Sequence, residues 1–434
     1  MPTSLQGISQ KAKRFKQHRF GNLYRLLNYQ SLQSAWKKIN KRAAAGVDKV
    51  TAKEFAKNLN TNICEIVEKL KEKSYRTKLV RRVEIPKENG KTRPLGIPAM
   101  ADKLVQSVAA KILEAIYEQD FLTGSHGYRP GIGPQAAVKN LTNELQHNKY
   151  SYIVEADIRG FFNNIDHNWL VRMLEERIKD GTFIRLIRKW LKAGVLETDG
   201  KIVHPTTGTP QGGTISPILA NIYLHFVLDL WFEKKVIPKC EGEAYICRFA
   251  DDFVCAFRYK QDAERFYRVL GKRLEKFGLE LAEEKTNIIR FTRFRKEENS
   301  SFEFLGFEFR WGASAQGKDI IKRRTSRKKL RKSLQAFKEW CKESRNSRLM
   351  KLFEELNSKL RGYYNYYGII GNFDSINEFY QNTIKTLYKW LNRRSQRRSF
   401  NWSQFRRTLD RYRIMRPRIT ESREYQIVLE FDFV

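Results

Sequence analysis

The run Tyr245-Ile246-Cys247-Arg248-Phe249-Ala250-Asp251-Asp252-Phe253-Val254-Cys255-Ala256-Phe257 restricts the fold more than any other stretch. Two short segments rich in aromatic and β-branched residues flank an Ala-Asp-Asp corner, the pattern of a tight β-hairpin. Adjacent side chains on a strand point to opposite faces. Only one of the two aspartates can therefore look squarely into a site, while the other supports it or reaches round. Two carboxylates this close repel each other unless a cation lies between them. An isolated Asp-Asp pair is more often a solvated turn, since Asp favours turns by local hydrogen bonding. Here the apolar flanks argue against a freely exposed loop, and a third carboxylate on a neighbouring strand would decide the matter.

Tyr152-Ile153-Val154-Glu155-Ala156-Asp157-Ile158 supplies it. The segment reads as a strand, and Asp157 closes a largely apolar run, a costly place for a charge without a partner. Asp166 lies further on and reads as the cap of a helix starting near His167. Asp157 with Asp251-Asp252 fits a site for nucleotidyl transfer assisted by two Mg²⁺ ions, hard cations that take oxygen ligands. One ion would activate a 3′-hydroxyl, and the other would hold a triphosphate and neutralise the leaving pyrophosphate. Lys285 is placed to neutralise or protonate that leaving group, or is an ordinary surface lysine.

At 434 residues the chain is long enough for about three domains by the usual length prior. Its formal charge of +35 is spread over most of its length. A field of that sign suits a polyanion, with nucleic acid first in line. A membrane surface is the rival, but no apolar stretch spans a bilayer, and the polar, basic N-terminus lacks the core of a signal peptide. The five cysteines form no Cys-x-x-Cys pair, which is poor evidence for a disulfide frame or a zinc site. Free thiols suit a reducing cytosol, so a cytoplasmic location is expected, of bacterial type and associated with the nucleoid.

Residues 1–20 form a basic flexible arm or a short amphipathic helix, residues 23–39 an imperfect helix, and Phe55 to Leu70 a further helix. Between them Ala43 to Asp48 reads as a loop. Leu79 to Lys87 and Thr92 to Pro98 read as a basic hairpin that can point Lys87 and Arg93 towards a triphosphate, or simply carries surface charge. A helix at 102–118 leads to the glycine-rich loop Ser125 to Gly131, where Arg129 either meets phosphate or braces a turn. Thr209-Pro210-Gln211-Gly212-Gly213 precedes a helix from Ile218 to Leu230, and Gln211 is placed to meet a base pair. Residues 262–277 are an amphipathic helix stopped by Gly278. Phe302 to Phe309 reads as one strand interrupted by Gly306. Lys322 to Lys332 enters the first of three basic helices, the last ending near Arg394, with a tyrosine cluster at 361–368 between the second and third. The density of charge favours a phosphate track. Tyr425 to Val434 reads as a possible edge strand.

These motifs occur in an ordered series that resembles the reverse transcriptases encoded by group II introns, also called maturases. The resemblance covers nearly the whole chain. It runs from Ala45-Gly46-Val47-Asp48 through Arg82 to Lys87, Arg93 to Pro98, Gly127-Tyr128-Arg129-Pro130, Asp157 to Phe162 and Thr209 to Gly213. It continues through Phe249-Ala250-Asp251-Asp252, Glu284-Lys285-Thr286 and Phe304-Leu305-Gly306-Phe307. The resemblance implies an α+β, right-hand polymerase, with antiparallel sheet in fingers and palm and an all-α thumb behind. It implies an N-terminal extension at 1–75, fingers and palm at 76–310, a thumb or maturase domain at 311–400 and a basic tail at 401–434. Asp157, Asp251 and Asp252 become the catalytic and metal-binding triad, and Lys87 and Arg93 the ligands of the incoming triphosphate. Phe161 or Phe162 becomes the steric gate against a ribose 2′-hydroxyl, Gln211 lines the nucleotide pocket, and Phe304, Leu305, Gly306 and Phe307 form the primer grip. The implied partners are an RNA template, intron RNA, a DNA primer or target and dNTP, with the protein a monomer or homodimer.

Two departures stand out. Phe249 takes the place of the family's usual tyrosine, a change a packed ring tolerates. No Cys-x-x-Cys or His-rich endonuclease segment follows the helices, so cleavage of target DNA by this chain is not expected. Two other readings compete: a related reverse transcriptase recruited to host defence or DNA repair, and a non-catalytic RNA-binding splicing factor. The intact acidic triad argues against the second.

Overall fold

The computed structural model describes residues 4–86, 92–210, 212–294, 301–394 and 399–421. The chain groups into two compact units, one of Met1–Ile132 with Val154–Ile288, the other of Gly133–Ile153 with Ile289–Val434.

The first unit is built around the helix Met100–Tyr117, apolar on most of its faces and buried along nearly its full length. The helices Leu5–Arg14 and Tyr29–Lys38 pack on it. The imperfect periodicity of residues 23–39 has a cause: a 3₁₀ turn at Tyr24–Leu26 comes first, and the α-helix begins after Asn28, whose side chain caps it. The single helix expected from Phe55 to Leu70 is two, Ala52–Lys57 and Leu59–Lys71, parted at Asn58 with φ −124° and ψ 44°. The Ala43–Asp48 loop is held by Arg81, which donates to the Ala45 carbonyl at 2.7 Å, and by Lys103, which donates to that of Ala44 at 2.6 Å. A Cβ on Gly46 would lie 2.6 Å from the Ala99 Cα, so only glycine fits this approach.

Eleven strands occur in order along this part of the chain: β1 (Val80–Pro86), β2 (Thr92–Ile97), β3 (Ser125–His126), β4 (Tyr152–Ala156), β5 (Ile158–Arg159), β6 (Val195–Leu196), β7 (Ile202–Val203), β8 (Ala244–Phe249), β9 (Asp252–Phe257), β10 (Glu280–Leu281) and β11 (Asn287–Arg290). The basic hairpin β1–β2 is antiparallel, with Ile85 opposite Arg93, and its sheet runs β2-β1-β6-β7. A second sheet runs β11-β4-β9-β8-β3. At its centre β8 and β9 pair antiparallel, with Arg248 opposite Phe253 and Phe249 opposite Asp252. Parallel contacts occur where β6 meets β1 and where β3 meets β8. The helix expected to run to Leu230 is α-helical only over Ser216–Leu224, then widens into π-turns at His225–Asp229 and Phe232–Val236.

The second unit joins the helix Pro134–His147 to a three-stranded sheet and a helical module. The stretch expected as one strand is a hairpin, β12 (Phe302–Phe304) and β13 (Phe307–Ala313), turning through Leu305 at φ +52° and Gly306 at φ +77°. Positive φ at both central residues makes a two-residue turn of the kind that matches strand twist. Asn-Gly is its usual signature, and leucine in the first place hid it. The start of the basic run is likewise a strand, β14 (Asp319–Thr325), paired with β13. Only at Arg327 does a helix begin, capped by the Ser326 hydroxyl.

The helices Arg327–Ser344, Leu349–Tyr367 and Phe373–Leu391 share a core of Phe337, Leu356, Leu360, Ile376, Phe379 and Leu387. The tyrosine cluster lies inside the second helix and contributes to that core: Tyr364 is fully buried and Tyr363 stacks on Phe379 at 3.7 Å. A further helix, Trp402–Arg411, opens with a capping box from Asn401 and Gln404 and buries Phe405 and Leu409 against the same core. Its basic composition masked that apolar stripe. The expected strand at 425–434 lies outside the described residues. Among the described residues no helix is long and apolar enough to cross a membrane.

Candidate active site

Asp251 and Asp252 lie where β8 turns into β9. With Phe249 opposite Asp252, Ala250 and Asp251 are the two central residues of the turn. Ala250 adopts φ +58°, a left-handed conformation that costs an L-residue roughly 1–2 kcal/mol and is normally left to glycine. The turn is clamped on both sides. The Ala250 N–H donates to the His126 carbonyl at 3.2 Å, and its own carbonyl accepts from Arg248 at 2.9 Å. Gly127, at φ +78°, presses against the same peptide: a Cβ there would stand 2.5 Å from the Ala250 nitrogen.

Asp157 lies between β4 and β5. Its carbonyl accepts from the Ala282 N–H at 2.9 Å, while β5 pairs with β10. That pairing brings the short 3₁₀ turn Glu283–Lys285 to the site, and the Lys285 ammonium binds the Asp157 carboxylate directly. Arg159 anchors the same turn through Glu284 at 2.7 Å. Asp166 caps the helix His167–Glu175, accepting from the Trp169 N–H, and takes no part in the carboxylate cluster.

The electrostatics tie these groups into one site. Burial pushes the Asp251 carboxyl above its ordinary value, and the charge of Asp157 pushes it further. Arg93 and Arg248 pull against that. The Asp157 hydrogen bond raises the Lys285 ammonium, aided by Glu284 and Asp252. Tyr128, at φ +54° and exposed, is raised first by burial of its hydroxyl end and then by Asp251, with Arg93 opposing and Asp252 adding. Its ring meets Phe162 edge-on at 6.1 Å, and Phe162 meets Phe161 at 5.4 Å. Both phenylalanines are buried on the short helix Phe161–Asn164, with Phe161 also facing Tyr223.

Arg93 is thus within reach of the carboxylates' field, while Lys87 and Gln211 lie outside the described residues. Phe304, Leu305, Gly306 and Phe307 belong to the second unit, where the Leu305 carbonyl accepts from the Tyr366 hydroxyl at 3.0 Å and Phe307 stacks on Tyr366. Arg129 braces a turn: it binds Glu118 at 2.9 Å and the Ser125 carbonyl at 2.6 Å.

Among the described residues no three carboxylate, imidazole or thiol side chains stand so that together they could hold a metal ion. The Asp157 carboxylate is held by Lys285. The donor chemistry nevertheless fits magnesium. The oxygens are hard, and burial together with the Asp157–Asp251 repulsion is a penalty that a cation relieves.

Sequence reasoning missed the support beneath the turn. Arg248 is fully buried and bound to Asp229, Asn221 and Ser125. The signal was present: an arginine inside Ile246-Cys247-Arg248-Phe249, and an aspartate inside Val227-Leu228-Asp229-Leu230. Each is a charge where an apolar residue is expected, and together they neutralise one another.

The mixed sheets, followed in the chain by a helical region, belong to the right-hand polymerase, α+β class. The reverse transcriptase (RNA-dependent DNA polymerase) family matches residues 85–309, and the group II intron, maturase-specific domain matches residues 320–409. Group II intron-encoded protein LtrA of Lactococcus lactis subsp. cremoris is 32% identical over 86% of this chain and 75% of its own length. Protein YkfC of Escherichia coli is 33% identical over 48% of this chain and 62% of its own. A telomerase structure from Candida albicans, in complex with a fragment of telomeric RNA, aligns over 84% of this chain and 67% of its own, at 13% identity and a TM-score of 0.43. The chain belongs to the group II intron reverse transcriptase and maturase family, whose roles are reverse transcription and splicing.

Proposed function

We propose that this chain is an active RNA-directed DNA polymerase that joins dNTPs to a primer 3′-hydroxyl on an RNA template, and that it also binds intron RNA to assist splicing and mobility. The observation that carries the reading is that β4, which ends before Asp157, lies beside β9, which opens at Asp252, while Lys285 reaches the Asp157 carboxylate from a third element far away in sequence. A protein that only bound RNA would gain nothing from a raised, partly buried Asp251 on a strained turn.

Asp157, Asp251 and Asp252 are the residues that would hold Mg²⁺. When bound, two such ions would activate the 3′-hydroxyl and neutralise the triphosphate. Lys285 holds the Asp157 carboxylate, and its ammonium is a proton donor or countercharge for the leaving pyrophosphate. Arg93, with Lys87, grips the triphosphate, since a guanidinium matches phosphate oxygens in a bidentate fork. Phe161 or Phe162, both buried, is the steric gate that rejects a ribose 2′-hydroxyl, and Gln211 lines the nucleotide pocket. In the second unit Phe304 to Phe307 serves as primer grip. The basic helices form the thumb, within the division at 75, 310 and 400. A cytoplasmic setting suits these partners.

The experiment is Asp251→Ala in the full chain. Primer extension on an RNA template should fall by at least a thousandfold, while RNA affinity stays within about twofold, since one carboxylate adds little to a field of +35. Extension retained by the purified variant would refute the reading.

A further inference from the structure

We propose that Arg248 is a positioning residue: its guanidinium holds the left-handed Ala250 peptide and thereby sets where the Asp251 carboxylate stands. The proposal rests on the polymerase reading above and adds to it a residue that touches neither substrate nor metal.

Arginine carries five N–H donors in a planar fork. All five are used here, in a side chain with no exposed surface. Nε donates to Asp229 Oδ1 at 2.7 Å, and Nη2 to Asp229 Oδ2 at 2.6 Å. Nη2 also donates to the Ser125 hydroxyl at 2.5 Å. Nη1 donates to Asn221 Oδ1 at 3.1 Å and to the Ala250 carbonyl at 2.9 Å. Four of the five fix the fork against the π-turn that carries Asp229, against Asn221 and against β3. The fifth transmits that rigidity to the turn. Asn221 completes the frame by donating from Nδ2 to the Gly127 carbonyl at 2.8 Å, beside the His126 carbonyl that takes the Ala250 N–H.

The arrangement solves a specific problem. Alanine at φ +58° drifts towards ordinary backbone angles unless its peptide is held. The peptide that would swing is the one joining Ala250 to Asp251. A buried Arg–Asp pair is a poor source of stability, since desolvation offsets its attraction, so its value lies in the geometry it enforces. Lysine keeps the charge but offers a single nitrogen, which cannot face Asp229, Asn221, Ser125 and the Ala250 carbonyl together.

The test is Arg248→Lys in the full chain, alone and combined with Ala250→Gly. Steady-state primer extension is read against dNTP and Mg²⁺ concentration, with RNA–primer affinity measured in parallel. For Arg248→Lys, kcat should fall about tenfold to a hundredfold, the scale of a misplaced catalytic group. KM for dNTP and RNA affinity should stay within about twofold. Half-saturation by Mg²⁺ should move to higher concentration. Glycine takes a left-handed φ without strain, so Ala250→Gly should restore at least about threefold of the lost kcat. Unchanged kcat, or equal losses in kcat and RNA affinity without rescue, would overturn the proposal. If Arg248→Lys does not fold, Ser125→Ala removes one acceptor and little volume. It should lower kcat about threefold at constant KM, and wild-type kcat in that variant would overturn the proposal instead. A wild-type chain without extension would defeat the polymerase reading and this proposal with it; an active wild type beside a fully active Arg248→Lys defeats the positioning alone.

Discussion

Replacing Gly127 by alanine should damage the site from outside it. Two costs can be separated. Gly127 adopts φ +78°, which penalises an L-residue by roughly 1–2 kcal/mol. Its new Cβ would also stand 2.5 Å from the Ala250 nitrogen and 3.1 Å from the Phe249 carbonyl carbon, against an ordinary contact of 3.4 Å or more. Relief requires the Phe249–Ala250 peptide to retreat by nearly 1 Å, and overpacking of that kind adds about 1–3 kcal/mol. The total is about 2–5 kcal/mol of stability. Because that peptide leads directly into Asp251, the same displacement should lower kcat on the order of a hundredfold. Gly131→Ala is the internal control. It has φ +76°, but nothing lies within 4 Å of its Cβ, so it carries the backbone penalty alone. Urea unfolding followed by circular dichroism, with primer extension on the same preparations, compares the two. Equal stability and equal activity in the two variants would refute the steric argument.

Three further outcomes are expected. Burial pulls the His225 imidazole down to about 4, against the attraction of Asp229. Below the ordinary value of 6.5 the unfolded chain therefore takes up a proton that the folded chain refuses. Stability should drop on the order of 3 kcal/mol between pH 6.5 and 4, and His225→Phe should flatten the slope in unfolding curves at pH 7 and pH 5. Leu305→Asn should stabilise the β12–β13 hairpin by up to about 1 kcal/mol, since asparagine accepts positive φ, with a raised Tm as readout. Lys285→Met removes the countercharge to Asp157, and a loss of kcat of about a hundredfold is expected. A variant as fast as wild type would show that Lys285 is structural.

Much of the candidate site was legible because carboxylates in apolar strands stand out. Asp157 and Asp251-Asp252 announced themselves in that way, as did the basic hairpin around Arg93. The elements that escaped depend on backbone conformations that side chains do not advertise. Leu305-Gly306 forms a turn whose usual first residue is asparagine, so two strands read as one. Lys322 to Thr325 carries the charge of the following helix but the alternation of a strand, and charge dominated the reading. Trp402–Arg411 hid two buried apolar residues among basic ones. Arg248 was overlooked because arginine is ordinarily a surface residue; only its pairing with Asp229, 19 positions away, explains it.

The widened turns at His225–Asp229 and Phe232–Val236 have a consequence for how this part of the chain can vary. A π-turn takes up one residue more than an α-helical turn, and so absorbs that residue with little change in the phase of what lies beyond. Deleting one residue between 225 and 228 would let the segment rewind as plain α-helix with the downstream phase nearly kept, whereas deleting one within Ser216–Leu224 would rotate the downstream turns by about 100°. Asp229 would then leave its guanidinium partner although no chemically important side chain had been removed. Exchange of side chains along this helix is a matter of degree, whereas a change in its length is a change of thread.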